Sequence, residues 1–395
     1  MSYYEFHVAR RYVQFGGALR ELANYLTLVG KNILLITACD PVRDEVVERI
    51  KEGIKLPAAQ VMDPGLAALS PRYARYLPMA DQFDRCRGEM TFDFYDFGDG
   101  QVTEENIRRV GQYVLQGGFD TVVGIGGGKG QDLARALTQV APVKTVLVPT
   151  LCATNASIST LSVLYTPDGH IDRYWRMDNA PDLVLVDTDL LVRNPPRALA
   201  AGIGDITATY YEAQCNLRLS GKTDHIPAYS AEGIALNIRL MRTHAPAAMA
   251  AIRARKADPA FETVLSMIMH NPGPLGMICL TGYAHIIDEV FLYFNKAHLT
   301  PHGLRVGFAV IAMLLFEGAG QDEIREYVAF CRAVGIPVSL KELGLDRISR
   351  EQWLEAYDAT AGSSGSIRGL PFEVDGPRIV QSILDADRCA AEVLK

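Results

Sequence analysis

The residues whose types and spacing speak most directly of chemistry are Gly124-Ile125-Gly126-Gly127-Gly128-Lys129-Gly130-Gln131-Asp132. They follow the apolar run Asp120-Thr121-Val122-Val123 and precede the helix-forming Leu133-Ala134-Arg135-Ala136-Leu137. Strand, glycines and helix in that order suit a phosphate group. Glycine lets the backbone turn with positive φ and come close to an anion, and the next helix offers that anion its free N–H groups and positive dipole end. The stretch is not a P-loop, because Gly130 stands where a Ser or Thr would hold magnesium. Nor is it a spaced G-x-G-x-x-G, since three glycines are adjacent. A glycine turn that only lets a helix pack closely on a sheet would use the same residues, and the motif alone leaves both readings open.

A second set of residues could bind a metal. Gly202-Ile203-Gly204-Asp205 puts a carboxylate where a helix is expected to begin; His285 lies in Gly282-Tyr283-Ala284-His285-Ile286-Ile287, and His302 stands between Pro301 and Gly303 at another helix start. One Asp and two His give three ligands and leave a fourth tetrahedral position open, the composition of a catalytic zinc site. Long-range spacing is not diagnostic, so on residue types alone Asp205 reads first as a helix cap and each histidine first as a hydrogen-bonded core residue, with the metal site behind them.

The elements that must position these groups fall into two halves. With 395 residues, 49% hydrophobic and 22% charged, the chain is long enough for two globular domains. Its first half alternates strand-like runs (32–37, 91–95, 144–148, 183–186) with helical stretches, such as one from Thr103-Glu104-Glu105 to Gly117-Gly118 and one capped by Asp40-Pro41. Strands separated by helices imply βαβ units and a parallel sheet. After Asn194-Pro195-Pro196 the chain reads as helices: 229–242, 259–269, 306–316, 322–334 and 377–394. The expected organisation is an α/β domain over 1–195 and an all-helical domain over 196–395, with a catalytic cleft between them. The stretch from Lys55 to Met90 lacks periodicity, and a short helix is expected around Pro71 to Tyr76, since long structureless loops are uncommon inside domains.

Composition narrows the class. No run of about 20 apolar residues is present, which excludes a transmembrane helix, and the start lacks the basic and apolar regions of a signal peptide. The 7 cysteines are scattered and never spaced C-x-x-C, which fits a reducing cytoplasm and argues against a disulfide framework. A net charge of -7 without a basic run argues against nucleic acid. A small-molecule substrate, no nucleic acid or membrane partner, a cytoplasmic location and assembly as a homo-oligomer are the expectations.

The sequence resembles the glycerol dehydrogenase branch of the iron-containing alcohol dehydrogenase superfamily over nearly its whole length. The segments that carry the resemblance are Gly126 to Arg135, Pro149-Thr150-Leu151-Cys152-Ala153-Thr154-Asn155, Leu161-Ser162-Val163-Leu164-Tyr165, Ala200-Ala201-Gly202-Ile203-Gly204-Asp205, Ala284-His285 and His302-Gly303. The resemblance implies a Rossmann-like dinucleotide domain followed by a helical metal domain, the dehydroquinate synthase-like arrangement. It implies NAD along Gly127, Gly128, Lys129 and Asp132, with Thr150 on the adenosine side and Ser159, Leu161 and Tyr165 on the nicotinamide side. It also implies one divalent metal on Asp205, His285 and His302. The iron-using members carry a histidine four residues after that aspartate; here the residue is Thr209, so three ligands favour zinc.

Two departures bear on specificity. Polyol-oxidising members have a substrate-touching aspartate where this chain has Asn155, which keeps hydrogen bonding but loses the charge. The family aspartate facing the adenosine ribose aligns with Ala38, which removes a repulsion against NADP; Asp40 offers a replacement nearby. The leading expectation is oxidation of glycerol or a similar vicinal diol by hydride transfer to the nicotinamide, with Asn155 at the substrate and no evident general base. The alternative is reduction of 2-oxo acids or hydroxyketones, with Arg173, Arg176 or Arg368 as carboxylate partners. A lyase of the dehydroquinate synthase type is the remote third, because those enzymes use glutamate in place of Asp205.

Overall fold

A computed structural model describes residues 9–38, 41–98, 100–167, 169, 171–177, 180–220, 228–270, 282–294, 299–364 and 366–393. Two compact units emerge among the described residues: one of residues 9–151 and 156–193, the other of residues 152–155 and 194–393.

The first unit is built on strands β1 (Tyr12–Phe15), β2 (Asn32–Ala38), β3 (Thr91–Gly98), β4 (Thr121–Gly126), β5 (Lys144–Pro149) and β8 (Leu183–Asp187), with a hairpin of β6 (Leu161–Tyr165) and β7 (Ile171–Arg176). The six form one parallel sheet in the order β1-β8-β5-β4-β2-β3. β4 and β8 are buried throughout, as strands covered on both faces must be, and this explains their unbroken apolar runs. β3 lies at an edge and keeps the alternating exposure its sequence suggests. The core runs through Ile33, Leu35, Val123, Ile125, Val146, Val148, Leu183 and Leu185.

Several local expectations need correction. The helix after β2 begins at Arg43, with Val42 in the capping position, not at Pro41; Asp40 lies outside the described residues. The stretch 55–90 holds four short α-helices, Ala58–Val61, Pro64–Leu69, Pro71–Ala74 and Ala80–Gly88, and a 3-10 turn, Leu77–Met79. Asp63 and Ser70 cap two of them ahead of prolines, and elements of one or two turns are too short to show a period. β1, β6 and β7 were not among the expected strands. The helix expected from Thr103 is present as Glu104–Gly117, capped by the Thr103 hydroxyl and ended by Gly118 at φ 65°.

The second unit is helical among its described residues. Its main elements are Pro196–Ser220, Ala228–Ala254, Pro259–Met269, Tyr283–Phe291, His302–Phe316, Gln321–Val334, Arg350–Ala359 and Gly376–Val393. Ala228–Ala254 runs through Pro246, well past the expected end at 242. His302–Phe316 starts one turn before the expected 306 and is buried from Gly303 to Leu314, making it the axis of the unit. It crosses Pro196–Ser220 in backbone contact: a Cβ on Gly303 would lie 1.9 Å from the Ala201 carbonyl oxygen, and one on Gly204 would lie 2.1 Å from that of Gly303. No helix among the described residues is long and apolar enough to cross a membrane.

Candidate functional site

The sheet unit offers a backbone site. β4 ends at Gly126, whose φ of 151° suits glycine, and Gly127 caps the helix Gly128–Leu137. That helix lies tight on the sheet, since a Cβ on Gly124 would meet the Ala134 Cβ at 2.6 Å and the Gly130 oxygen at 2.8 Å. The packing reading holds for Gly124, and Gly127 and Gly128 open a helix whose first N–H groups have no intrahelical acceptor. Thr150 is buried and its N–H donates to the Gly126 oxygen at 3.2 Å, holding the turn from behind. Lys129 carries its Nζ 5.3 Å from the centre of the Tyr165 ring, so the structure brings the loop lysine and the hairpin tyrosine together. Ser159 and Leu161 are half-buried and share hydrogen bonds through the serine hydroxyl, each 3.1 Å long.

Asp132 behaves differently from the other loop residues. It is 6% exposed, with Oδ1 accepting from Arg135 at 2.8 Å and Oδ2 accepting from the Val163 N–H at 3.3 Å. Burial pushes its pKa up to about 6 in spite of Arg135. Its carboxylate is engaged inside the protein, with Arg135 and the Val163 N–H. Ala38, at the end of β2, is a close neighbour of the loop: its Cβ would lie 3.1 Å from one on Gly126 and 3.3 Å from one on Gly130.

The helical unit offers a side-chain site. Asp205 is the tenth residue of the helix Pro196–Ser220, and so is not a cap. His285 is in the first turn of Tyr283–Phe291, and His302 is the first residue of its helix. One ligand atom from each of Asp205, His285 and His302 lies within 4.8 Å of the others. Nε2 of His285 is 3.5 Å, and Nε2 of His302 3.7 Å, from Asp205 Oδ1. Tetrahedral ligands about 2.0–2.1 Å from zinc are roughly 3.3 Å apart, so each histidine stands close to that spacing from Asp205.

What lies behind these atoms is equally specific. His285 Nδ1 is 2.8 and 3.0 Å from the Glu212 oxygens, and its backbone N–H also donates to Glu212. His302 Nδ1 is 2.7 Å from Asp288 Oδ2, and Asp288 is paired with the buried Arg305. A carboxylate only accepts, so each Nδ1 carries a proton and each Nε2 is the ring atom turned to the shared position, where an ion would take the place of its proton. Carboxylate–histidine pairs of this kind orient metal-binding histidines. The other oxygen of Asp205, Oδ2, accepts the Asn155 N–H at 3.0 Å, which puts Asn155 beside the cluster. Thr209 gives its hydroxyl to the Asp205 backbone oxygen at 3.2 Å.

Electrostatics follow from this packing. Burial alone would raise Asp205, but the His285 hydrogen bond, the two imidazoles and the Asn155 N–H outweigh it and leave the carboxyl below its usual range. Burial would lower His285, yet Glu212 and Asp205 overcome it and hold the ring well above 6.5. Burial of Asp288 is likewise overcome by Arg305 and His302, which hold it low.

Glu212, Asp288 and Arg305 escaped the sequence reading. The available signal was a charge in an apolar helical stretch one or two turns from a candidate ligand: Glu212 at seven after Asp205, Asp288 at three after His285, Arg305 at three after His302. Arg173, considered as a substrate-carboxylate partner, is paired with Glu104 at 2.7 Å and Asp172 at 2.8 Å, and Arg368 is exposed.

Comparison with known proteins fits both sites. A family model described as iron-containing alcohol dehydrogenase matches residues 76–188. Glycerol dehydrogenase of Pseudomonas putida is 31% identical over 302 residues, covering 75% of this chain and 82% of that protein. Glycerol dehydrogenase of Thermotoga maritima is 32% identical over 300 residues, covering 73% and 80%. The crystal structure of a probable glycerol dehydrogenase from Sinorhizobium meliloti 1021 superposes with a TM-score of 0.81 at 25% identity, over 99% of this chain and 100% of that one. The chain is thus a member of the iron-containing alcohol dehydrogenase family, in its glycerol dehydrogenase branch.

Proposed function

We propose that this protein oxidises glycerol or a similar small vicinal diol with NAD, using one zinc ion on Asp205, His285 and His302. The observation that carries the reading is the convergence of two Nε2 atoms and one carboxylate oxygen, each fixed from behind by Glu212, Asp288 or the Asn155 N–H. Three ligands leave a position for substrate oxygen. The absence of a histidine at Thr209, whose hydroxyl is turned to the backbone, supports zinc over iron.

Bound there, the ion supplies Lewis acidity, making an alcohol O–H more acidic in oxidation and polarising a carbonyl in reduction. The residues of the chain do the rest. Glu212 and Asp288 accept from Nδ1 of the two imidazoles and fix their orientation, so that each Nε2 would be left to the ion, and the Asn155 N–H fixes the plane of the Asp205 carboxylate. The turn at Gly127 and Gly128 carries the pyrophosphate, with Lys129 adding positive charge. In the overall reaction the alcohol carbon gives a hydride to NAD, its oxygen gives a proton to solvent, and a carbonyl and NADH result.

A second reading, reduction of a 2-oxo acid or hydroxyketone, draws on Asn155, which brings no negative charge to the cluster. The engagement of Arg173 with two carboxylates counts against it. The test is to measure zinc and iron content, then glycerol oxidation and pyruvate-type reduction with NAD(H) and NADP(H), for the wild type and Asn155→Asp. A carboxylate 4 Å from an anionic substrate would repel it by roughly 4 kcal/mol at an effective dielectric near 20, whereas it would accept hydrogen bonds from diol hydroxyls. The expected result is one zinc per chain, glycerol turnover with NAD, and a diol-to-acid ratio that rises in Asn155→Asp. Iron in place of zinc, or acid reduction that exceeds diol oxidation, would overturn the proposal; an unchanged ratio would remove Asn155 from the substrate.

A further inference from the structure

The helix after the glycine loop sends its polar side chains into the protein, and they converge on one stretch of chain. We propose that Arg135, with Asp132 and Gln131, forms a positioning set that fixes residues 156–163 to the pyrophosphate helix, so that a single helix registers both ends of the dinucleotide. This deepens the function proposed above and rests on its assignment of the glycine loop.

Arg135 is 1% exposed, a costly place for a guanidinium that any apolar side chain would fill. Its bonds explain the cost. It donates to the Ala156 oxygen, to the Leu161 oxygen at 2.9 Å and to Asp132 at 2.8 Å. Asp132 passes the link on: Oδ2 takes the Val163 N–H, and its backbone oxygen takes the Ser162 hydroxyl at 2.8 Å. One residue earlier, Gln131 accepts from the Ser157 hydroxyl at 2.8 Å and donates to the Gly126 oxygen at 3.3 Å. Between β5 and β6 the only regular element is the short turn Ala156–Ile158. Donors from the helix therefore set the course of the segment that leads to Ser159, Leu161 and Tyr165.

The fork of arginine matters, because its two terminal nitrogens bond two carbonyls and a carboxylate where lysine presents a point charge. None of the three side chains touches the ligand in this assignment; they act through the segment they hold. The effect should therefore fall on the nicotinamide end and spare the adenosine diphosphate end.

Binding of ADP-ribose and of NADH to the wild type, Arg135→Lys and Ser157→Ala tests this, with thermal unfolding as the check on folding. Arg135→Lys should keep ADP-ribose affinity while weakening NADH about tenfold, the scale of one charge-assisted hydrogen bond, and should shift the emission of bound NADH. Ser157→Ala, which removes one neutral bond and is expected to fold even if Arg135→Lys does not, should move both readouts the same way by about threefold. Parallel loss of both ligands, or no change in either for folded variants, would overturn the proposal. A wild type that binds neither ligand would overturn the glycine-loop assignment itself, a distinct result.

Discussion

The two candidate sites spend their polar groups in opposite ways. On the proposed assignment the backbone of the sheet unit would face the ligand, while Gln131, Asp132 and Arg135 are consumed in holding structure. In the helical unit the backbone is consumed in helices and side chains would face the ligand, with Glu212, Asp288 and Arg305 as a buried charged layer behind them. A backbone site is indifferent to charge and intolerant of volume. A side-chain site is tolerant of volume at its open position and intolerant of any lost charge. The difference implies that each site fails by a different class of substitution.

The largest effect should come from exchanging those classes. His302→Ala leaves two ligands, and it should strip most of the metal and lower turnover by about a thousandfold or more, as loss of a metal acting as Lewis acid does. NADH affinity should stay within about twofold, since a backbone phosphate site has no share in that ion. Gly127→Val should do the reverse, because its Cβ would already lie 3.2 Å from Leu151 Cδ1 and the added methyls would crowd the turn. Titration of NADH and elemental analysis on both variants check this. Metal loss in Gly127→Val, or NADH loss in His302→Ala, would break the separation.

The same contrast governs what the sequence disclosed. The glycine loop is contiguous, so strand, turn and helix could be read together, and the parallel sheet followed from buried runs such as Val122 to Gly126. Asp205, His285 and His302 come from three helices, and residue types alone left them open; their family resemblance named them. Asp132 misled because the motif marks its position without marking its direction, and only packing turns it toward Arg135. Glu212 and Asp288 were illegible because a buried carboxylate in a helix looks like an ordinary solvated one until its neighbour is known. The helices of 55–90 and the hairpin strands were hidden by brevity.

A finer test separates the two orienting carboxylates. Glu212→Gln and Asp288→Asn should each weaken metal binding by about 10–100-fold, the usual cost of removing a partner behind a ligating histidine. They should differ in stability. Asp288→Asn also leaves the buried Arg305 without its counter-charge, 5% exposed as it is, and should cost about 3–5 kcal/mol. Metal affinity by chelator competition and denaturant unfolding of the metal-free protein would show it. Equal stability loss in both variants would mean that Arg305 is held by other groups, Thr300 among them.

The smallest expected effect is on pH dependence, where the two units should again have opposite signs. In the sheet unit Glu21 is 2% exposed, accepts from Tyr73, and is raised by burial from 4.5 to about 7. Its folded form holds a proton that the unfolded form has lost, so between those values stability falls as pH rises. At about 1.4 kcal/mol for each tenfold change in acidity the full span is about 3 kcal/mol, and relaxation around the charge would leave roughly 1–3. In the helical unit Asp205 and Asp288 are held low, so their contribution is complete above the ordinary carboxyl range and is lost as pH falls below it. Lowering the pH from 7 to 5 should therefore strengthen the sheet unit and leave the Asp205 and Asp288 contribution intact. Glu21→Gln should flatten that gain without altering the acid limb, which hydrogen exchange of the two units at several pH values would resolve. A sheet unit that weakens from pH 7 to 5 in the wild type would show that Glu21 is ionised in the fold, and the contrast in sign would then disappear.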